Sequence, residues 1–196
     1  SLDSLFFGKV THLDLAVQSD DAFWADPSVA AVVDERHRDD LFRLAAATPE
    51  LLGRVATLPH GLSHGDAAPD NLLEPGDGAI VAIDWSYGSI GALGCDLGQL
   101  LAGGFESGTR DAATLPAVAD AIFDGYVDGM AASGVRPDPD GVRTAWATHL
   151  AVRSVFSALL VDHRPDLDAD GRQEVLARRA ALARVGLDLA ASVLDG

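Results

Sequence analysis

Cysteine, lysine and long hydrophobic runs are nearly absent from this sequence of 196 residues. The single cysteine, Cys95, excludes an internal disulfide and a cysteine-rich zinc site. No uninterrupted apolar run approaches the roughly 18 residues that a membrane-spanning helix needs, and the first residues lack the basic and then apolar layout of a secretory signal. We therefore expect a cytoplasmic protein without a membrane partner.

Positive charge is scarce as well. The chain has 14 Lys and Arg against 30 Asp and Glu, which gives a formal charge of −16 and a pI near 4.4. Because nucleic acids and anionic membranes attract positively charged proteins, neither is expected as the main partner. Hydrophobic residues make up 48% and charged residues 22%, which is typical of one globular domain or of one lobe of a larger enzyme.

Most of the chain has apolar residues at helical spacing. The predicted helices cover residues 1–20, 27–47, 49–55, 96–102, 115–132, 140–161 and 169–194. Thr48 and Pro49 are predicted to separate two of them, with Thr48 as N-cap and Pro49 as the first residue of the next helix. The fold predicted from this pattern is mainly helical.

A different pattern occupies residues 59–94. Two short apolar runs, 71–73 and 79–83, flank the turn sequence Pro-Gly-Asp-Gly at 75–78. Short apolar runs on either side of a Pro- and Gly-rich turn predict a β-hairpin. The helical body is therefore expected to carry one small hairpin.

Polar residues with an informative spacing surround that hairpin. His64, Asp66 and Asn71 follow the pattern H-x-D-x-x-x-x-N, Asn71 is the only asparagine in the chain, and Asp84 ends the second apolar run. Phosphoryl transfer needs a carboxylate to position the attacking hydroxyl and oxygen ligands to hold Mg²⁺ against the nucleotide phosphates. The spacing therefore indicates the catalytic loop and metal site of a phosphotransferase.

In these residues the sequence resembles the aminoglycoside phosphotransferase and choline kinase family. The likeness rests on His64-Gly65-Asp66 with Asn71, on Ile83-Asp84-Trp85, and on the stretch 91–97. It implies the C-terminal lobe of a protein-kinase-like fold, α+β and mainly helical, in which one small β-hairpin carries the catalytic loop. It further implies a transfer from ATP, or another nucleoside triphosphate, with Mg²⁺. The implied acceptor is a hydroxyl of a small, possibly cationic molecule, such as an aminoglycoside-like antibiotic or an amino alcohol.

The resemblance also implies a role for individual residues. Asp66 is the implied catalytic base, and Asn71 and Asp84 are the implied magnesium ligands. Asp96 is implied to be a buried aspartate that braces the catalytic loop through backbone N–H groups, and His64 to support the same loop. No residue is implied for nucleotide binding beyond these.

The sequence departs from the family pattern in several places. Members often have a polar residue at one of the positions of Ala67 and Ala68, and Ala92-Leu93 replaces the usual Asp-Pro. Before His64 there is no Gly-rich phosphate loop, and Lys9 has no apolar strand around it, so it is expected at the surface. We therefore expect the N-terminal, nucleotide-covering lobe to be absent and the isolated C-lobe to be inactive. The surface beneath the missing lobe should then be an exposed apolar patch near the hairpin, or be buried against a neighbouring molecule.

The expected organisation is a single lobe in three parts. Leading helices cover 1–58, the catalytic loop and metal-binding hairpin cover 59–94, and a helical substrate-side subdomain covers 95–196. The acidic run 162–170 is expected to be a solvated interhelical loop, or a rim that attracts a cationic substrate.

Two other functions are compatible with parts of the pattern. The chain could be a degenerate kinase-like binding module that never had the first lobe. Ser63 also lies in Gly61-Leu62-Ser63-His64-Gly65, which spells the G-x-S-x-G nucleophile elbow of serine hydrolases. That elbow needs a long helix directly after the serine, and Pro69 disfavours one there.

Overall fold

The computed structural model describes residues 2–76, 78–106, 108, 110–160 and 168–195. Helices predominate in this part of the chain, which confirms the mainly helical prediction. The helices are α1 (Leu2–Gln18), α2 (Asp21–Ala25), α3 (Pro27–Ala30), α4 (Glu35–Thr57), α5 (Leu97–Glu106), α6 (Leu115–Ala132), α7 (Pro139–Leu150) and α8 (Ala169–Leu194). The strands are β1 (His60–Ser63), β2 (Leu72–Leu73), β3 (Val81–Ala82) and β4 (Ser89–Ala92).

The strands form two separate antiparallel pairs. β2 pairs with β3 in the predicted hairpin, with Leu72 opposite Ala82. β1 pairs with β4, with Ser63 opposite Ser89, and this second pair was not predicted. Each strand of the second pair is four residues long and contains a glycine, so its sequence has little of the apolar alternation that reveals a strand. The second pair brings residues 60–63 and 89–92 together on either side of the hairpin.

The core lies between α4, α5, α7 and α8. Trp146 of α7 is buried and stacks on Phe123 of α6 with 6.0 Å between ring centroids, and Phe105 and Phe156 are buried with it. Burial of one such side chain contributes about 1.5–3 kcal/mol. Phe123, Trp146 and Phe156 therefore belong to the core, and Trp24 packs against it partly buried.

The predicted boundary at Thr48 and Pro49 is wrong, because α4 runs through both residues. Its buried residues continue at helical spacing across the proline, from Leu44 through Thr48 and Leu51 to Val55. Thr48 is fully buried, and its hydroxyl donates to the Leu44 carbonyl oxygen at 2.8 Å instead of capping a new helix. The burial of this continuous face outweighs the missing N–H of one proline.

Other boundaries also differ from the prediction. The predicted helix 27–47 is divided into α3 and α4 at Asp34, whose side chain accepts a hydrogen bond from the His37 N–H at 2.9 Å. The predicted helix 140–161 ends as an α-helix at Leu150 and continues as a π-helical turn, Ala151–Val155. In contrast, α6 and α8 have the predicted bounds.

The acidic run 162–170 lies only partly within the described residues, which resume at Asp168. Asp168 is the N-cap of α8, and its side chain accepts from the Gly171 N–H at 2.8 Å. Among the described helices, none combines the length and the apolar character needed to cross a membrane.

Candidate active site

The loop after β1 holds the predicted catalytic residues. Gly65 turns the chain there with φ +76°, and a Cβ at this position would lie 2.3 Å from the Tyr87 carbonyl oxygen. Only glycine adopts this backbone conformation without strain while leaving room for Tyr87. The loop therefore lies directly against the segment that follows Asp84.

Asp96 lies beneath this loop and accepts three hydrogen bonds from it. Its two carboxylate oxygens accept from the Ser63 hydroxyl at 2.9 Å, the His64 N–H at 3.0 Å and the Gly65 N–H at 2.9 Å. The residue is half-buried rather than fully buried. One side chain therefore holds three consecutive residues, two of them by the backbone N–H and Ser63 by its hydroxyl.

His64 connects the loop to the hairpin. Its side chain is buried, and its Nδ1 accepts from the Asp66 N–H at 3.3 Å while its Nε2 donates to the Ile83 carbonyl oxygen at 2.7 Å. An acceptor at Nδ1 requires the proton on Nε2 in the neutral ring, so the two bonds define one tautomer. The ring centroid lies 4.6 Å from that of Trp85. His64 thereby ties the backbone of Asp66 to the residue that precedes Asp84.

The Asp66 side chain is half-buried and is held by two amides. The Asn71 amide nitrogen donates to the Asp66 carbonyl oxygen at 2.9 Å and lies 3.4 Å from Oδ2. The Gln99 amide nitrogen lies 3.4 Å from Oδ1. The carboxylate therefore has a neutral donor on each oxygen and no basic side chain among these hydrogen-bond partners.

Asn71 and Asp84 lie at one end of the hairpin. The Ile83 N–H donates to the Asn71 carbonyl oxygen at 2.9 Å, so the residue before Asp84 is bonded directly to Asn71. Asp84 is exposed, in the left-handed region with φ 54°, and accepts from the hydroxyl and the N–H of Ser86. These bonds with Ser86 lower the pKa of the Asp84 carboxyl below its usual value of 3.8.

The chemistry of these two side chains suits a magnesium ion. The amide nitrogen of Asn71 is engaged by Asp66, its Oδ1 makes no hydrogen bond to the described residues, and Asp84 supplies a carboxylate. Mg²⁺ is usually held by one or two such oxygens together with water and substrate phosphates. Within the described residues no cluster of three or more His, Cys, Asp or Glu could hold a metal by itself.

The serine hydrolase alternative is wrong. Ser63 is buried in strand β1, and its hydroxyl donates to Asp96 and lies 3.3 Å from the Cys95 sulfur. A nucleophile elbow requires an exposed serine on a sharp strand-to-helix turn. The chain continues from Ser63 into an irregular loop, and the next helical residues after it are the 3₁₀ turn Pro69–Asn71.

Sequence reasoning missed Gln99 and Arg153. Gln99 lies in the first turn of α5, three residues after Asp96, which directly precedes this helix, and this short interval could have identified it. Arg153 belongs to the π-helical turn, and its guanidinium lies 5.8 Å from the Tyr87 ring centroid. No local pattern marks Arg153, because its approach to residues 63–65 and 87 depends on how α7 packs.

An exposed apolar patch surrounds the hairpin, as predicted. Leu62 and Ile90 face each other across β1 and β4 and are 72% and 71% exposed. Leu73, Ile80, Val81, Ile83, Trp85 and Tyr87, on the hairpin and in the segment that follows it, are exposed as well. We call these eight residues the hairpin patch. A concentration of exposed apolar side chains of this kind indicates an interaction site.

The fold and the site define a mainly helical protein whose polar loop places an aspartate beside an asparagine and a hairpin-terminal aspartate. The model of the phosphotransferase enzyme family matches residues 6–135, which is more than half of the chain, and the chain therefore belongs to this family. The predicted resemblance is thus confirmed at the level of the family. No curated protein and no solved structure matches the chain.

Proposed function

We propose that this chain is the C-terminal lobe of a protein-kinase-like enzyme that transfers the terminal phosphoryl group of ATP, or of another nucleoside triphosphate, to a hydroxyl of a small molecule. The observation that carries the proposal is the Asp66 carboxylate, which is half-buried and held by Asn71, the residue whose carbonyl oxygen accepts from the Ile83 N–H directly before Asp84. Family membership supports the reaction type. The acceptor class is an aminoglycoside-like antibiotic or an amino alcohol.

In this proposal Asp66 acts as the general base. The acceptor hydroxyl donates its proton to a free lone pair of the Asp66 carboxylate while its oxygen forms a bond to the terminal phosphorus. The bond between that phosphorus and the bridging oxygen breaks, and the nucleoside diphosphate leaves with the electron pair. The proton then passes from Asp66 to solvent. Because the carboxylate's hydrogen-bond partners among the described residues are neutral amides, it keeps acceptor capacity for this step.

Asn71 and Asp84 would hold Mg²⁺ through one oxygen each. A magnesium ion bound there supplies positive charge to the triphosphate. Asp84 is ionised at neutral pH, since its usual pKa of 3.8 already lies far below 7 and the Ser86 hydrogen bonds lower it further. The Asn71 amide orients its own oxygen by donating from its nitrogen to Asp66, so the base and the proposed metal ligand are positioned together.

His64 and Asp96 act in this proposal as positioning residues. Asp96 fixes the backbone of residues 63–65, and His64 fixes the Asp66 N–H relative to the hairpin. The direction of the Asp66 side chain depends on both, because it follows directly from this backbone. We expect these hydrogen bonds to affect the reaction rate more than the stability, because small displacements of a catalytic group reduce rates strongly.

We further propose that a nucleotide-covering lobe packs on the hairpin patch. The patch lies around the hairpin that ends at Asp84, and its exposed Leu73, Val81 and Ile83 stand on or next to the two strands. The only lysine, Lys9, is exposed on α1 and is not among the residues of this site. Without a covering lobe the contacts to a triphosphate are exposed to water, where each is weak. The 196-residue chain alone is therefore expected to bind Mg·ATP weakly and to transfer no phosphate.

A cationic acceptor is the expected substrate chemistry. The chain carries a formal charge of −16, and an acidic protein attracts cations and repels nucleic acids and anionic membranes. Aminoglycosides and amino alcohols combine a hydroxyl with a positive charge. The net charge of the chain, and not the shape of a binding pocket, is therefore what supports a cationic acceptor.

The test measures phosphate transfer from radiolabelled ATP to a panel of aminoglycosides and amino alcohols. The polypeptide encoded by the complete reading frame is assayed beside the 196-residue chain, each as wild type and as Asp66→Asn. We expect transfer by the encoded polypeptide and none by its Asp66→Asn variant. Nucleotide binding without transfer to any hydroxyl would instead support the degenerate binding module. Turnover by the 196-residue chain alone would refute the need for a covering lobe.

A further inference from the structure

We infer that Gln99 is a positioning residue that fixes the rotation of the Asp66 carboxylate; the inference rests on the proposed function of Asp66. Asn71 engages Oδ2 of this carboxylate from within the loop. Gln99 approaches the other oxygen, Oδ1, from α5 with 3.4 Å between its Nε2 and that oxygen. The two amides therefore contact the carboxylate from two different elements.

The position of Gln99 follows from how α5 meets the loop. Asp96, which precedes the helix, holds the loop backbone, and Gln99 and Gly103 follow it after three and seven residues. Residues at these intervals lie on one face of a helix. A Cβ at Gly103 would lie 2.9 Å from the nearest carbons of Ala68 and Pro69, so the missing side chain is what lets α5 lie this close to the loop.

The chemistry of a glutamine suits this position. Its amide is a donor that stays neutral, so it can hold a carboxylate oxygen without adding charge that would weaken a general base. A second donor on the carboxylate restricts rotation about its terminal torsion, which is otherwise broad. The free lone pairs of Asp66 then point in a fixed direction when the acceptor hydroxyl arrives. The 3.4 Å between Gln99 Nε2 and Asp66 Oδ1 suits such a role, since catalytic contacts often shorten when substrate binds.

The first experiment tests the contact without requiring activity. Side-chain amide resonances of Gln99 are recorded by NMR in the 196-residue chain, in its Asp66→Asn variant and in Asp70→Asn. Asp70 is an exposed acidic residue of the same loop and serves as the matched control. We expect the Gln99 resonances to shift in Asp66→Asn and to stay in place in Asp70→Asn. Unchanged resonances in Asp66→Asn would overturn the inference.

The second experiment tests the positioning role in the encoded polypeptide with the acceptor found by the transfer assay. Gln99→Leu removes the donor, and Gln99→Glu replaces the amide by a second carboxylate that repels Asp66. We expect kcat to fall about threefold to tenfold in Gln99→Leu, the range that one hydrogen bond of ordinary strength supplies, and further in Gln99→Glu. KM for ATP and acceptor should remain within about twofold.

The matched control is Gln173→Leu on α8, whose amide donates to the Ser28 carbonyl oxygen, and it should retain wild-type kcat. A loss confined to KM, or an unchanged kcat in Gln99→Leu, would overturn the positioning role. A wild-type enzyme that transfers phosphate to no hydroxyl refutes the proposed function and with it this role. The NMR result then still decides whether the Gln99–Asp66 contact exists.

Discussion

Removal of the Asp96 carboxylate should loosen the catalytic loop and destabilise the protein. Asp96→Ala leaves three donors without their acceptor: the Ser63 hydroxyl and the N–H groups of His64 and Gly65. The hydroxyl can rotate towards another acceptor, whereas the two N–H groups are fixed by the backbone. His64 is buried, and its Nε2 bond to Ile83 keeps this segment in place, so water reaches the two N–H groups poorly.

The expected cost follows from these two donors. An unsatisfied buried donor costs about 1–3 kcal/mol, and the half-buried position of Asp96 favours the lower part of that range. We therefore expect Asp96→Ala to lower the free energy of unfolding by about 2–4 kcal/mol. Asp96→Asn should cost about 1–2 kcal/mol, because its amide offers one acceptor oxygen and turns an NH₂ group towards the remaining donors.

Urea unfolding followed by circular dichroism measures the global effect, and hydrogen exchange at the amides of His64 and Gly65 measures the local one. Ser63→Ala is the matched control, since it removes one of the three donors and leaves the carboxylate in place; it should cost less than about 1 kcal/mol. Asp96→Ala with a free energy of unfolding within about 0.5 kcal/mol of wild type, and with unchanged exchange at both amides, would refute this account of the loop.

Three further predictions concern single residues. Asp66→Asn should reduce kcat of the encoded enzyme by at least about 100-fold in steady-state kinetics, with little change in the Kd for Mg·ATP measured by calorimetry. Near-normal turnover would contradict the role of Asp66 as base. Asp84→Ala should raise the Kd for Mg·ATP at least about tenfold while Asp70→Ala does not, and equal Kd values in the two variants would contradict the metal role. Burial, with a smaller contribution from Arg184, lowers the pKa of His37 from 6.5 to about 4. Between these two values the unfolded state therefore binds a proton at His37 that the folded state does not bind. Stability should therefore be lost as pH falls from 6.5 towards 4, by about 3 kcal/mol, and a His37→Phe variant should lose less than wild type over the same range; equal losses would show that other groups control acid stability.

Local sequence features were sufficient to predict those elements whose structure depends on their own residues. The bounds of α6 and α8 follow from apolar residues at helical spacing between Gly- and Pro-containing segments, and the β2–β3 hairpin follows from its turn. The spacing of His64, Asp66 and Asn71 was equally informative, because a loop that positions several polar groups within a few residues must carry them in a fixed order. Family membership confirms that resemblance.

Tertiary packing decided the features that depend on distant residues. Pro49 lies inside α4 because the buried face from Leu44 to Val55 is continuous against the core, and a local propensity cannot reveal that gain. Strand β1 exists because β4 supplies its hydrogen-bond partners 26 to 32 residues further along the chain, from Ser89 opposite Ser63 to Ala92 opposite His60. The approach of Gln99 to Asp66 and of Arg153 to Tyr87 depends on where α5 and the turn after α7 pack. A sequence records the chemistry of each side chain and its short-range spacing, whereas the burial of apolar faces among distant helices determines which of those side chains meet.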